Sequence, residues 1–340
     1  MPGRAKVLCL RFSALGDVAM TAMVVRACAA QYPQISFVMA GPERMRPLFE
    51  GPFGLPNLSY LAINKKEGLI AIFKQIKVCK PTHVIDLHSV LRTFALRTLF
   101  WLRGCPVHYV HKGRAARKRL LRRGPTSAPL KPMCARYAAA FQKMGLPVSL
   151  TWQLPQRLVW DTQSFPKLEP GARCVGIAPF AKHKGKQAPT QAMKGVAQSL
   201  YEKGYHLFLF GGGAQEQALL DTWVRDLAQP GGPVVVNTVG RLASFQEELA
   251  YMVRMHFMVT MDSANMHFAS LLGVPVFSVW GATHPAAGFY GWGQASERAI
   301  QKELACRPCS IFGSKPCRFG TYECLKDLDF TPIIDYERSK

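Results

Sequence analysis

Between Asp86 and Asp161 the chain has no acidic residue. A solvated protein face normally mixes both signs, so this absence is informative. Across all 340 residues, 43 Lys/Arg stand against 21 Asp/Glu, a net charge of +22. Residues 1–160 hold 25 Lys/Arg and 5 Asp/Glu, whereas residues 161–340 hold 18 and 16, so the imbalance belongs to the first half. Inside the acid-free window lies HKGRAARKRLLRR, His111 to Arg123. Such a half suits a polyanionic partner: nucleic acid, an anionic membrane surface or a phosphorylated glycolipid.

Other absences narrow the class further. No apolar run reaches the roughly 18 residues of a membrane span. The best candidate, FALRTLFWL, carries Arg97 in its middle. The first apolar run is short and leads straight into RFSALGD, so no signal peptide is expected and the protein reads as cytoplasmic. No GxGxxG follows that run, which counts against a nicotinamide-dependent oxidoreductase. No aromatic residue is interleaved between Lys112 and Arg123, which counts against base stacking and a nucleic-acid partner.

What is present is ample material for two cores: hydrophobic residues make up 49% of the chain. Strand-like and helix-like segments alternate. KVLCLRF is followed by a helical DVAMTAMVVRACAAQY, ISFVMAG, LSYLAI, a helix near 68–79, HVIDLH, a helical VLRTFALRTLFWLRG, and VHYVHKG. A helix over 133–144 closes this half, and the proline-rich stretch 145–172 reads as a linker with an edge strand. The rhythm restarts with CVGIAPF and runs through YHLFLFGGG, PVVVNTVG and HFMVTMD to VPVFSVWG as a last strand. The expected class is α/β: two Rossmann-like domains, 1–160 and 161–310, with parallel sheets facing a central cleft. A tail over 311–340 is expected to pack back toward the first domain. Ligands in such sheets sit at the carboxyl ends of strands.

Four strand ends carry chemistry. In Ser13-Ala-Leu-Gly-Asp17, the aspartate is either a helix cap or a general base. After CVGIA, Lys182, Lys184 and Lys186 alternate in a loop suited to an anion such as a departing phosphate. Gly211-Gly212-Gly213 permits close backbone approach, and Glu216 could accept hydrogen bonds from ribose hydroxyls. Asp262 ends a strand, and Ser263, Ala264 and Asn265 open a helix whose free N–H groups suit a diphosphate, with His267 one turn inside. Of ten cysteines, Cys306, Cys309, Cys317 and Cys324 bunch near the C-terminus. Cys306-Arg-Pro-Cys309 has ligand spacing, but the wider second pair favours free thiols or an oxidation-dependent disulfide over a closed zinc site.

Taken in order, these elements resemble the lipopolysaccharide heptosyltransferases, glycosyltransferase family 9. Arg11-Phe-Ser13-Ala-Leu-Gly16-Asp17-Val18 matches the family's R-x-S-x-x-G-D-V, and Asp86-Leu-His88 with Arg92 matches its D-x-H element. DSANMHFASLLGVP, the turn Gly281-Ala-Thr283-His-Pro285 and CRPC match three later motifs. The resemblance spans about residues 6–325.

It implies a GT-B fold and an inverting, metal-independent transfer of a heptose or related sugar. The donor is typically ADP-heptose and the acceptor a lipopolysaccharide core. It places the general base on Asp17 and the diphosphate lysine on Lys186, with Lys182 competing. Ser13, Gly212, Glu216, Asp262, Ser263, Ala264, Asn265, His267 and Thr283 fall to the donor. His88, Arg92, Arg114, Arg117, Lys118 and Arg119 fall to the anionic acceptor. No cofactor, a monomer, and peripheral contact with the inner leaflet of the cytoplasmic membrane are expected. The chain departs from the family at Ala188, Ala264 and Ala282, where an aromatic, a glycine and a proline are usual. Altered base or sugar pockets would look like this, so another nucleotide sugar is the alternative donor.

Overall fold

The computed structural model describes residues 5–125, 129–151 and 164–336. Uninterrupted apolar runs suit strands covered by helices on both faces, and both sheets are built from such runs. The first comprises β1 (Lys6–Leu10), β2 (Ser36–Gly41), β3 (Leu58–Ala62), β4 (His83–Asp86) and β5 (Val107–Tyr109). All neighbouring pairs are parallel, in the order β3-β2-β1-β4-β5. The intervening helices are α1 (Leu15–Gln31), α2 (Leu69–Lys77) and α3 (Leu91–Trp101). Then come α4 (Arg114–Arg123) and α5 (Met133–Lys143).

Period-2 alternation sends Leu8 and Leu10 of β1 to one face, where they join Ile72, Ile76, Leu96 and Phe100 of α2 and α3 in one core. Helix α1 is buried from Val18 to Ala29, around its whole circumference. Apart from Thr21 and Arg26 its buried side chains are apolar, and they lie on all sides rather than on one stripe.

The second sheet is again wholly parallel, in the order β11-β10-β9-β6-β7-β8. Its strands are β6 (Cys174–Ala178), β7 (His206–Leu209), β8 (Val235–Asn237), β9 (Phe257–Met261), β10 (Val276–Trp280) and β11 (Ala299–Gln301). Its helices are α6 (Thr190–Glu202), α7 (Ala214–Leu227), α8 (Phe245–Met252), α9 (Ala264–Leu271) and α10 (Thr331–Ile334). In both sheets the strand order reverses beside the first strand, between β1 and β4 and between β6 and β9. That reversal point is where open α/β sheets bind ligands.

VPVFSVWG is not the last strand, because the short Ala299–Gln301 adds β11 at the sheet edge. No edge strand occurs among the described residues of 145–172; 152–163 lie outside them. The chain divides into two compact units, but the boundary is not simply at 160: Met1–Gly113 and Lys131–Val159 form one unit, Arg114–Leu130 and Trp160–Lys340 the other. The basic segment thus folds as α4 and groups with the second unit, where Arg117 stacks 4.4 Å from the Phe289 ring. The C-terminal segment also stays with the second unit. Ile333 enters its core, and Tyr336 lies edge-on to Phe257 and Phe277 at 5.2 and 5.0 Å.

Candidate active site

In the first unit, polar groups gather where β1 and β4 end. Asp17 lies in the first turn of α1, but it is not a hydrogen-bonding cap: Ala14 occupies the cap position and no side chain caps there. Instead Arg11 Nη2 meets Asp17 Oδ2 at 2.6 Å. The Tyr137 hydroxyl, from α5, donates to Asp17 Oδ1 at 3.5 Å and accepts from Arg11 Nη1 at 3.1 Å. Arg11 Nη1 also donates to the Leu87 carbonyl at 2.7 Å. The arginine side chain is 4% exposed and the carboxylate 24%. The pair therefore has a buried cation and an accessible anion. Burial pushes the Tyr137 hydroxyl up, so it stays a neutral donor.

His88 lies beside this pair. Its Nε2 is 3.3 Å from Ser13 Oγ, and Phe12 packs edge-on to its ring. Burial, then the charges of Arg11 and Lys112, push its pKa down to about 3 against the opposing pull of Asp17. The imidazole is accordingly neutral and serves as a hydrogen-bonding group rather than a cation for an anionic acceptor. Asp86 is fully buried and structural: its Oδ1 accepts from the amides of His88 and Ser89 at 2.9 and 2.7 Å, which shapes the turn that presents His88. Arg92 is exposed and bonds the Lys65 carbonyl.

The second unit repeats the pattern with the opposite polarity. Lys186 Nζ meets Asp262 Oδ2 at 2.8 Å, with the lysine side chain 17% exposed and the carboxylate 5%. Thr283 Oγ1 donates to the same Oδ2 at 2.8 Å. Three loops hold this arrangement. Gln187 closes the loop after β6, accepting from the Ala181 amide and donating to the Pro179 carbonyl, both at 2.6 Å. The Ala282 amide reaches the Gly185 carbonyl at 2.7 Å, and a Cβ on Gly281 would come within 2.6 Å of that same oxygen. Gly281 is therefore required by close backbone approach. Arg307, 1% exposed, donates to the carbonyls of Gly281 and Thr283 at 2.5 and 2.9 Å and so ties the CRPC segment to this loop.

Helix α9 begins at Ala264, and Ser263 between it and Asp262 occupies the cap position without a side-chain cap bond. Its Oγ is buried without a hydrogen-bond partner among the described residues, and the adjoining amides of Ala264 and Asn265 belong to the first helical turn. His267 is buried one turn further on. Glu216 folds back onto its own loop, where Oε2 accepts from the Gly212 amide at 2.7 Å. Lys182 is exposed.

The structure therefore brings together Ser13, Asp17 and His88 in one unit, and Lys186, Asp262 and Thr283 in the other. Arg114, Lys118 and Arg119 are exposed on α4, whereas Arg117 is buried and stacks on the Phe289 ring. Sequence reasoning missed Tyr137, for which no local signal existed, and Arg11 as the partner of Asp17, although Arg11 opens the matched motif. Cys306, Cys309, Cys317 and Cys324 are free and line one cavity of about 190 Å³. Hydrogen bonds from the Tyr322 and Phe319 amides pull the Cys317 thiol down. Among the described residues, no three His, Cys, Asp or Glu are arranged to hold a metal ion.

Two wholly parallel α/β sheets, each with polar groups at its reversal point, make a fold of the GT-B type. The family model of glycosyltransferase family 9 (heptosyltransferase) matches residues 69–322, and the chain belongs to that family. Solved structures agree in fold. Escherichia coli ADP-heptose LPS heptosyltransferase II superposes with a TM-score of 0.61 at 21% identity, over 88% of this chain and 91% of that one. A family 9 glycosyltransferase from Veillonella parvula gives 0.66 at 18% identity, over 87% and 86%. E. coli heptosyltransferase WaaC with ADP gives 0.58 at 18%, over 82% and 88%. No curated protein matches this chain in sequence.

Proposed function

We propose that this glycosyltransferase moves a heptose from ADP-heptose to an anionic, lipid-linked acceptor of the lipopolysaccharide core type, with inversion at the anomeric carbon. The observation that carries the reading is the opposed polarity of the two ion pairs. The first unit offers an accessible carboxylate backed by a buried arginine, and the second an accessible ammonium backed by a buried carboxylate.

Asp17 accepts the proton of an acceptor hydroxyl, and that oxygen attacks the donor's anomeric carbon as the bond to the diphosphate breaks. Arg11 and Tyr137 orient the carboxylate, while the neutral His88 supplies a hydrogen bond to the acceptor and Ser13 one to the donor. Negative charge gathers on the leaving diphosphate. Lys186, the Ser263 hydroxyl and the first amides of α9 meet it there. Glu216 exchanges its bond to the Gly212 amide for ribose hydroxyls. In this scheme the protein's own cations neutralise the leaving group, so no metal is required. Both relatives named as E. coli heptosyltransferases bear ADP or ADP-heptose in their descriptions, which supports the adenine base.

Ala188, Ala264 and Ala282 favour one second reading, a different nucleotide sugar on the same machinery. Ala188 is buried, with its amide 3.5 Å from Met261 Sδ, so this wall of the loop lacks the bulk of an aromatic. Thermal-shift measurements with ADP-, UDP-, GDP- and dTDP-sugars decide between the two. Stabilisation by ADP and ADP-heptose alone is expected; preference for another base overturns the donor assignment.

A further inference from the structure

The first unit carries an apolar surface that none of the chemistry above uses. Along α3, Leu91, Phe94 and Trp101 recur at helical spacing on one side and are 86%, 52% and 65% exposed, with Leu102 at 67% just beyond the helix end. The opposite side of α3, Thr93, Leu96 and Phe100, is buried in the core. The helix thus has one apolar face satisfied and another turned to solvent. Helix α2, packed against α3, adds Ile70 and Val78 at 69% and 79% exposure. Exposed apolar side chains in such continuity mark an interaction surface.

The rim of this surface is cationic. Lys74 and Lys77 are exposed on α2, and Arg92 and Arg103 flank the two ends of α3. Arg97 lies between the rings of Phe94 and Tyr109, at 4.8 and 4.1 Å. From residue 65 to residue 109 the acids are Glu67 and the fully buried Asp86.

We infer that this α2–α3 face seats the protein on an anionic lipid bilayer. Leucine, isoleucine, valine and tryptophan enter the headgroup–acyl boundary, tryptophan and tyrosine favour that depth, and lysine and arginine meet lipid phosphates. Each cation near such a surface adds to the attraction. A second copy of the chain fits less well. An isologous contact would bring the same lysines face to face, and lysine is depleted from protein interfaces. The inference stands on exposure and charge in the first unit, and it would hold even if the acceptor were soluble.

Flotation of the full-length protein with vesicles of phosphatidylcholine, alone or mixed with phosphatidylglycerol, tests this. Binding to the anionic vesicles, weakened by salt, is expected. Leu91→Ser with Trp101→Ser should lower partitioning about tenfold or more, given the apolar area withdrawn. Lys74→Glu with Lys77→Glu should lower it too, while Lys118→Glu with Arg119→Glu on α4 should not. Melting curves of each variant separate surface loss from misfolding, and turnover on a delipidated acceptor separates this face from the site chemistry. Absence of vesicle binding, or loss of binding only in the α4 variant, overturns the inference. So does a dimer in sedimentation velocity that the α3 variant dissolves.

Discussion

Asp17 and Lys186 stand at equivalent places in two sheets of the same strand order, yet they present opposite charges. In the first unit Arg11 is the hidden partner, and in the second Asp262 is. A buried ion must be paired and hydrogen-bonded, so the buried member fixes the pair while the accessible member remains available for chemistry. Arg11 has further acceptors in the Leu87 carbonyl and the Tyr137 hydroxyl, and Asp262 has a further donor in Thr283. On the proposed reading, one architecture thereby serves as a base on one unit and as an anion site on the other, by exchanging which partner is covered.

The largest expected effect follows from removing the accessible carboxylate. Asp17→Asn should lower kcat by about 10²–10⁴-fold, the usual contribution of a general base. Its melting temperature should fall as well, because the buried Arg11 loses its counter-ion and keeps only the Leu87 carbonyl, the Tyr137 hydroxyl and the amide oxygen of the new side chain. Lys186→Met should lower turnover by about 10²–10³-fold through lost charge stabilisation. It should destabilise the fold more than Asp17→Asn does, by about 3–5 kcal/mol, since methionine offers the buried carboxylate of Asp262 no donor in place of the ammonium. Adding Asp262→Asn should restore the melting temperature without restoring turnover, as read by calorimetry beside a coupled assay.

A smaller effect is expected from Gly281→Ala. The new methyl group presses on the Gly185 carbonyl, at a cost of about 1–3 kcal/mol, and displaces the loop that aims Lys186. ADP affinity should fall as the loop shifts, which titration calorimetry would show.

The smallest effect at neutral pH concerns His88. Its folded pKa of about 3 lies below the ordinary 6.5, so the unfolded chain takes up the proton first. Its contribution to stability is complete above pH 6.5 and is lost as pH falls toward 3. His83, His108, His206 and His284 are lowered in the same direction by burial, and Asp86, raised by burial, opposes them. His88→Gln should therefore flatten the acid limb of melting temperature against pH without removing it.

Much of this was legible in the sequence where the signal is local. Continuous apolar runs such as CVGIA and FMVTM announce parallel strands, and the polar residues just after them, Asp17, Lys186 and Asp262, announce ligand ends. What was not legible depends on residues far apart in the chain. Tyr137 reaches Asp17 across 120 positions, and nothing near Arg11 says that it will be the buried partner. The basic stretch at 114–123 reads in sequence as a surface for a polyanionic partner, yet Arg117 is buried against Phe289 and the helix groups with the second unit. The tail likewise found its place through Ile333 and Tyr336, a packing preference without a sequence pattern. Gln187 reads as a loop residue until its two 2.6 Å bonds show it stapling the lysine loop.

The division of labour between the two pairs is tested most directly by measuring turnover and ADP affinity side by side in Asp17→Asn and Lys186→Met. Asp17→Asn should lose turnover and bind ADP as the parent protein does, whereas Lys186→Met should lose turnover and ADP affinity together. Near-normal turnover in Asp17→Asn, or ADP binding weakened equally in both variants, would contradict the assignment of base and anion site.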